Sequence, residues 1–243
     1  MNYLILGASG GLGTALAHRL ADGGHELFLA SRDADAVEAL ADDVGALHRP
    51  TRGADFEDVD ALAREAVEEL GELHGAVNCA GSLLLKPAHL TTQDELRNVL
   101  DANLTTSFAL VRAFTRAVRQ GPASMVLVSS AVATTGLSNH EAIAAAKGGV
   151  AALARSAAAT YASRQIRVNA VAPGLVETGL TERLLSNDKA REASLALHPL
   201  SRFGSAGEVA QLIAYLLGES SSWMTGQVLH IDGGLATLKT RAS

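Results

Sequence analysis

A short apolar strand that runs straight into a glycine turn constrains this chain more than any other feature. The stretch reads Asn2-Tyr-Leu-Ile-Leu-Gly7-Ala-Ser-Gly-Gly11-Leu-Gly13, and a helical pattern opens at Thr14-Ala-Leu-Ala-His-Arg-Leu20. Glycine suits a backbone that must turn tightly and approach a pyrophosphate, where a β-carbon would obstruct. The helix that follows aims free N–H groups and the positive end of its dipole at the phosphates. Gly7, Ser9, Gly10, Gly11, Leu12 and Gly13 are therefore the first candidate ligand contacts. Their spacing, G-x-x-x-G-x-G, departs from the general G-x-G-x-x-G fingerprint.

Composition narrows the function classes. A formal net charge of -6, without basic runs or interleaved aromatics, argues against a nucleic-acid or anionic-membrane partner. The single cysteine, Cys79, rules out an internal disulfide framework and fits a reducing cytoplasm. No apolar run approaches the roughly 18 residues of a membrane span. The first apolar run lacks a basic flank and is followed by glycines, so it reads as a strand rather than a signal peptide. The histidines show no metal-site spacing, and no metal is expected. His140-Glu141 opens an H-E-x-x-H pattern that Ala144 breaks.

Strand and helix patterns alternate along the whole chain. Further strands are expected at 26–30, 46–49, 74–78, 124–129, 166–171 and 227–231. Helices are expected from Asp33 to Val44, capped by Ser31 or Asp33, and over 57–70, 142–163 and 208–217. Two more begin near Thr92 and Asn103, and Asn139 is the expected cap of the helix at 142. Such alternation implies an α/β fold, a Rossmann-type doubly wound, mostly parallel seven-stranded sheet with helices on both faces. No linker or internal repeat interrupts it, so residues 1–243 read as one domain. Ligands in such sheets bind beyond the carboxyl ends of the strands, where strand order reverses. That rule selects Gly7–Gly13, Ser31-Arg32, Asp55, Asn78–Gly81, Ser129-Ser130 and Pro173–Thr178.

These strand-end residues together resemble the short-chain dehydrogenase/reductases, nearly end to end. The turn Gly7–Gly13 is similar to the family's cofactor motif, and Asp55, with Phe56 beside it, matches the aspartate expected near the adenine. Asn78-Cys-Ala80-Gly81 resembles the family's N-N-A-G. Asn103 in Ala-Asn-Leu stands at the active-site asparagine, Ser130 at the catalytic serine and Lys147 at the catalytic lysine. Pro173-Gly174, Val176 and Thr178 resemble the P-G-x-x-x-T that contacts nicotinamide and diphosphate. Segments 199–204 and 225–234 resemble the 3-oxoacyl-carrier-protein reductase branch.

One position departs from the resemblance. The family's tyrosine stands four residues before the lysine, and here that position is Ile143, thirteen residues after Ser130 and four before Lys147. Isoleucine has neither proton nor lone pair, and loss of a positioned general acid costs about 10²–10⁴ in rate. His140 shares a helical face with Ile143 and Lys147. A free histidine, with a pKa near 6.5, gives up a proton at neutral pH more readily than a phenol. His140 is the candidate donor, with Glu141 behind it.

The second strand ends in Ser31-Arg32 instead of the acid that binds the ribose 2′-hydroxyl of NAD. Serine and arginine can both bond a 2′-phosphate, so NADP(H) is expected over NAD(H), with Asp33 belonging to the helix start. The leading expectation is an NADP(H)-dependent enzyme interconverting a carbonyl and an alcohol on a small to medium, partly apolar substrate. Segment 176–198, carrying Leu180, Leu184, Leu185, Leu195 and Leu197, is the expected substrate lid. The alternative is a nucleotide-binding sensor or partner subunit, or a lyase-type enzyme using Lys147 or His140. The resemblance also implies a homotetramer or homodimer, to which the small residues of 144–152 would contribute close helix packing.

Overall fold

The computed structural model describes residues 1–239. Residues 240–243, part of the single domain expected from the sequence, lie outside the described residues. Strands β1 (Asn2–Leu6), β2 (Glu26–Ser31), β3 (Leu47–Pro50), β4 (Gly75–Asn78), β5 (Ala123–Val128) and β6 (Ile166–Pro173) come in chain order. The short β7 (Val176–Glu177) and β8 (Gly204–Ser205) and the closing β9 (Val228–Ile231) follow. Seven of them form one parallel sheet in the order β3-β2-β1-β4-β5-β6-β9, while β7 and β8 pair apart from it.

Helices cover both faces, as period-2 burial in β1 requires. Leu4 and Leu6 point to the side packed by α3 (Phe56–Leu70), α5 (Thr106–Ala117) and α6 (Glu141–Tyr161). Tyr3 and Ile5 point to the side of α1 (Gly11–Asp22), α2 (Ala34–Val44) and α9 (Ala206–Leu217). The order reverses between β1 and β4, which sets the glycine turn after β1 beside Asn78–Gly81.

Several local details differ from the sequence reading. Helix α1 starts at Gly11, ahead of Thr14, because Gly10 in extended conformation already acts as its cap. Of the two caps expected for α2, Asp33 serves: its carboxylate accepts the Ala36 N–H at 3.1 Å. Asn139 does not cap α6. It adopts a left-handed φ of 64°, and His140 takes the cap position without a side-chain bond to the helix. The two helices expected near Thr92 and Asn103 form one continuous run: α4 (Gln93–Leu100) passes through a π-helical turn, Asp101–Thr105, directly into α5. Between Glu177 and Gly204 lie α7 (Glu182–Leu185) and α8 (Asp188–Ala196).

Candidate active site

A cavity of about 1180 Å³ opens at the carboxyl ends of the strands. Its floor begins with the glycine turn, where Gly7 has φ 79° and its own N–H donates to the Ala30 carbonyl at 2.7 Å. A β-carbon on Gly7 would lie 2.6 Å from Ala80 Cα, so only glycine lets β1 and β4 approach this closely. No side chain caps α1, which leaves its first N–H groups available to an anion. Thr178 closes over the turn, and a β-carbon on Gly11 would stand 3.0 Å from Thr178 Cβ.

Ser31, Arg32 and Asp33 border the same cavity. Ser31 Oγ accepts the Ser9 N–H at 3.0 Å, which ties the glycine turn to the end of β2. Arg32 is exposed and has no carboxylate within ion-pair distance among the described residues.

Asp55 and Phe56, expected beside the adenine, are not among the residues that line the cavity. The Asp55 carboxylate is taken up in capping α3, accepting N–H groups of Glu57 and Asp58, and in pairing with Arg52 at 3.1 Å. Phe56 turns away to stack on Phe108. Thr51, Gly53 and Ala54 line that part of the wall instead. Asn78 and Gly13 also stay behind the wall. Asn78 is 1% exposed and braces it, donating to Thr106 and Ser107 and accepting the Ala80 N–H at 3.0 Å.

At the other end, Ser130, His140, Ile143, Lys147 and Asn103 all border the cavity. Ser130 follows β5; its Oγ accepts from the Val132 N–H at 3.4 Å and lies 3.5 Å from the Pro173 carbonyl it donates to. Lys147 reaches across from α6, only 8% exposed, and its Nζ donates to the Val128 carbonyl at 2.8 Å. Burial lowers its pKa to about 8 against a small opposing effect of Cys79. Cys79 presents part of its surface to the cavity, yet desolvation pushes its thiol up to about 12, opposed weakly by Lys147. Such a thiol is protonated and unreactive at neutral pH.

Asn103 sits in the π-helical turn with no exposed surface. Its Nδ2 donates to the Val99 and Ser82 carbonyls at 2.9 and 3.3 Å, and its Oδ1 takes the Ser82 N–H at 3.4 Å. The wider turn replaces the ordinary i→i−4 ladder at this point, and such bulges recur at functional sites. Ile143, 3% exposed, joins Val99, Ala142 and Ala146 in a small apolar cluster closed by Leu83, Leu84 and Val132. His140 Nδ1 donates to the Ser138 carbonyl at 2.7 Å, which leaves Nε2 as its free ring nitrogen.

Residues 7–236 match the sequence profile of the family described as "Enoyl-(Acyl carrier protein) reductase". The chain is 34% identical over 243 residues to a 3-oxoacyl-[acyl-carrier-protein] reductase of Staphylococcus aureus, with 96% of each chain covered. The chain belongs to the short-chain dehydrogenase/reductase family. Among solved structures, one of a short-chain type dehydrogenase/reductase from Mycobacterium ulcerans superposes with a TM-score of 0.93. The two are 26% identical, and the match spans 97% of this chain and 89% of that one. An actinorhodin polyketide ketoreductase solved with NADPH gives 0.91 at 26% identity, covering 98% and 97%. This short-chain dehydrogenase/reductase is thus an oxidoreductase by family, with the Rossmann-like sheet shared by its structural neighbours. No helix of the described residues is long and apolar enough to cross a membrane.

Sequence reasoning missed part of the far wall of this short-chain dehydrogenase/reductase. Leu83 and Leu85, in the loop after β4, line the cavity with Leu137 and Leu235. The triple leucine at 83–85 was a visible signal, since apolar residues in a loop need a reason to be there. From segment 176–198, Leu180, Leu184 and Leu197 face the cavity with Ala190 and Ala193, while Leu185 and Leu195 do not. His198, not among the candidates the sequence offered, is 4% exposed and borders the cavity.

Proposed function

We propose that this chain is an NADP(H)-dependent oxidoreductase interconverting a carbonyl and an alcohol, with His140 in place of the usual phenolic proton donor. The observation that carries the reading is that Ser130 and Lys147 open into the same cavity as the glycine turn. The cradle fits a dinucleotide: β-carbons at Gly7 and Gly11 would collide with the opposing wall, and α1 begins uncapped. The residues that would hold it are Gly7, Ser9–Leu12, Ser31, Arg32, Ala80, Gly81, Lys147, Pro173, Gly174, Val176 and Thr178. When bound, the nicotinamide supplies or accepts a hydride.

The rest of the chemistry belongs to the chain. Ser130 Oγ would donate a hydrogen bond to the substrate oxygen, releasing the long contact to Pro173. The Lys147 ammonium, fixed on Val128, adds positive charge where the oxygen becomes anionic. Ile143, read as replacing the family's tyrosine, offers the substrate only apolar surface. His140 would carry the transferred proton at Nε2, its Nδ1 being engaged with Ser138.

Leu83, Leu85 and the leucines of 176–198 argue for a partly apolar substrate with that segment as lid, all within one domain. A homotetramer or homodimer is consistent with Phe108, 49% exposed on α5, and with open space at Gly148 on α6. Light scattering on the purified chain tests the assembly.

The deciding experiment follows NADPH consumption with activated ketones and 3-oxoacyl thioesters, for the native chain and Ile143→Tyr. Turnover by the native chain, lost about 10²-fold or more in His140→Ala, supports the reading. Turnover by the tyrosine variant alone would overturn it and favour the second reading, a nucleotide-binding sensor or partner subunit on an intact scaffold.

A further inference from the structure

We propose that His198 is a positioning residue whose neutral imidazole latches segment 176–198 onto the Gly174–Leu175 backbone. Its Nδ1 lies 2.8 Å from the Ser194 carbonyl in α8, and its Nε2 lies 3.1 Å from the Leu175 N–H. A carbonyl only accepts and an N–H only donates, so one state satisfies both: proton on Nδ1, bare Nε2. The ring is 4% exposed and meets Phe203 edge-on at 5.8 Å. A β-carbon on Gly174 would fall 2.8 Å from Nε2, so the glycine of this turn makes room for the ring as well as for a ligand.

The consequence reaches the reacting end of the cavity. Gly174 and Leu175 follow Pro173, whose carbonyl is the partner of Ser130 Oγ. Gly174 N–H is held by the Ile231 carbonyl at 3.1 Å, and His198 holds the next N–H, that of Leu175. One imidazole thus joins α8, the turn after β6 and, through Pro173, the orientation of the Ser130 hydroxyl. Neither a proton transfer nor a substrate contact is assigned to it. Only the effect on substrate closure rests on reading 176–198 as a lid.

The test uses amide hydrogen exchange on the full, ligand-free chain, comparing native, His198→Gln and His198→Leu. Glutamine keeps an oxygen that can accept the Leu175 N–H, whereas leucine leaves that N–H without a partner. The latch predicts exchange at Leu175 and through α8 about tenfold faster in His198→Leu, near-native exchange in His198→Gln, and unchanged protection of β1 and β5 in both. Equal acceleration in both variants, or none at Leu175 in the leucine variant, would overturn it. Should the leucine variant fail to fold, nitrogen NMR of the native imidazole decides. The Nδ1–H tautomer supports the latch, and the Nε2–H tautomer overturns it. Slowed exchange of 176–198 on adding NADPH and an apolar ketone tests the lid reading separately, so either can fail alone.

Discussion

The Lys147 ammonium is anchored on the Val128 carbonyl at 2.8 Å, while Ser129 Oγ donates to the Lys147 carbonyl at the same distance. Helix α6 and the end of β5 are therefore stitched together at the two residues preceding Ser130. The lysine and the serine hydroxyl owe their common cavity to this pair of bonds. A cation held this way has lost most of its water, which is why its pKa falls to about 8.

That burial makes Lys147 a cost to the ligand-free fold, and the sign follows from linkage. Below about pH 8 the lysine is protonated in both states, and the folded chain carries the full desolvation penalty. Between about 8 and the ordinary 10.5 the unfolded chain binds more protons, so this contribution to stability rises with pH. The shift corresponds to about 3 kcal/mol, less about 1 for the bond to Val128. Lys147→Met is expected to unfold at higher urea than the native chain at pH 7, by about 2 kcal/mol, and to lose the rise between pH 8 and 10. Parallel urea titrations at pH 7 and 9.5 check both.

Arg32 lacks a carboxylate partner among the described residues, and Asp33 is engaged as the α2 cap. The guanidinium is free to meet a 2′-phosphate. Arg32→Ala is expected to weaken NADPH about tenfold, as loss of a charge-assisted bond should, and to leave NADH within about twofold. Fluorescence titration of both nucleotides reads the ratio. Equal losses for the two would remove the argument for NADP(H).

Asn103 is held by hydrogen bonds to Ser82 and Val99 inside the π-helical turn. Asn103→Ala removes the acceptor of the Ser82 N–H and the donor to the Val99 and Ser82 carbonyls, at about 1–3 kcal/mol. Thermal unfolding should show a lower midpoint. Asn103→Asp, which sets a buried carboxylate oxygen against the Val99 and Ser82 carbonyls in place of the amide donor, should be no more stable than the alanine variant.

The parallel sheet was legible because apolar strands, glycine turns and helical spacing alternate along the chain, whereas Ser130 was singled out by its place after a strand and Lys147 only by the family resemblance. The partners of the Asp55 carboxylate were not legible, for a physical reason. A carboxylate at the start of a helix satisfies free N–H groups wherever it stands, and the sequence shows the acid without showing which N–H groups are nearby. The continuous α4–α5 run was hidden because a π turn preserves helical composition while shifting its register. His198 was invisible for another reason: its partners are backbone groups of Leu175 and Ser194, which carry no sequence signal.

Gly7 gives the most direct test of the cradle, because its role is steric and needs no assumption about the reaction. At φ 79° an added β-carbon would press on the Ala80 backbone and lie 2.8 Å from the Cys79 carbonyl carbon. Neither neighbour is the end of a flexible side chain, so β1 and β4 would have to separate. Gly7→Ala is expected to lower stability by about 3 kcal/mol, from the left-handed backbone and the collision together. Gly24, also at positive φ (73°), has open space around its β-carbon position and serves as the control. Gly24→Ala should cost only the backbone term of about 1 kcal/mol and leave nucleotide affinity unchanged. Matching losses of stability in the two variants would mean that backbone strain alone governs Gly7, and that the close approach of β1 and β4 contributes nothing.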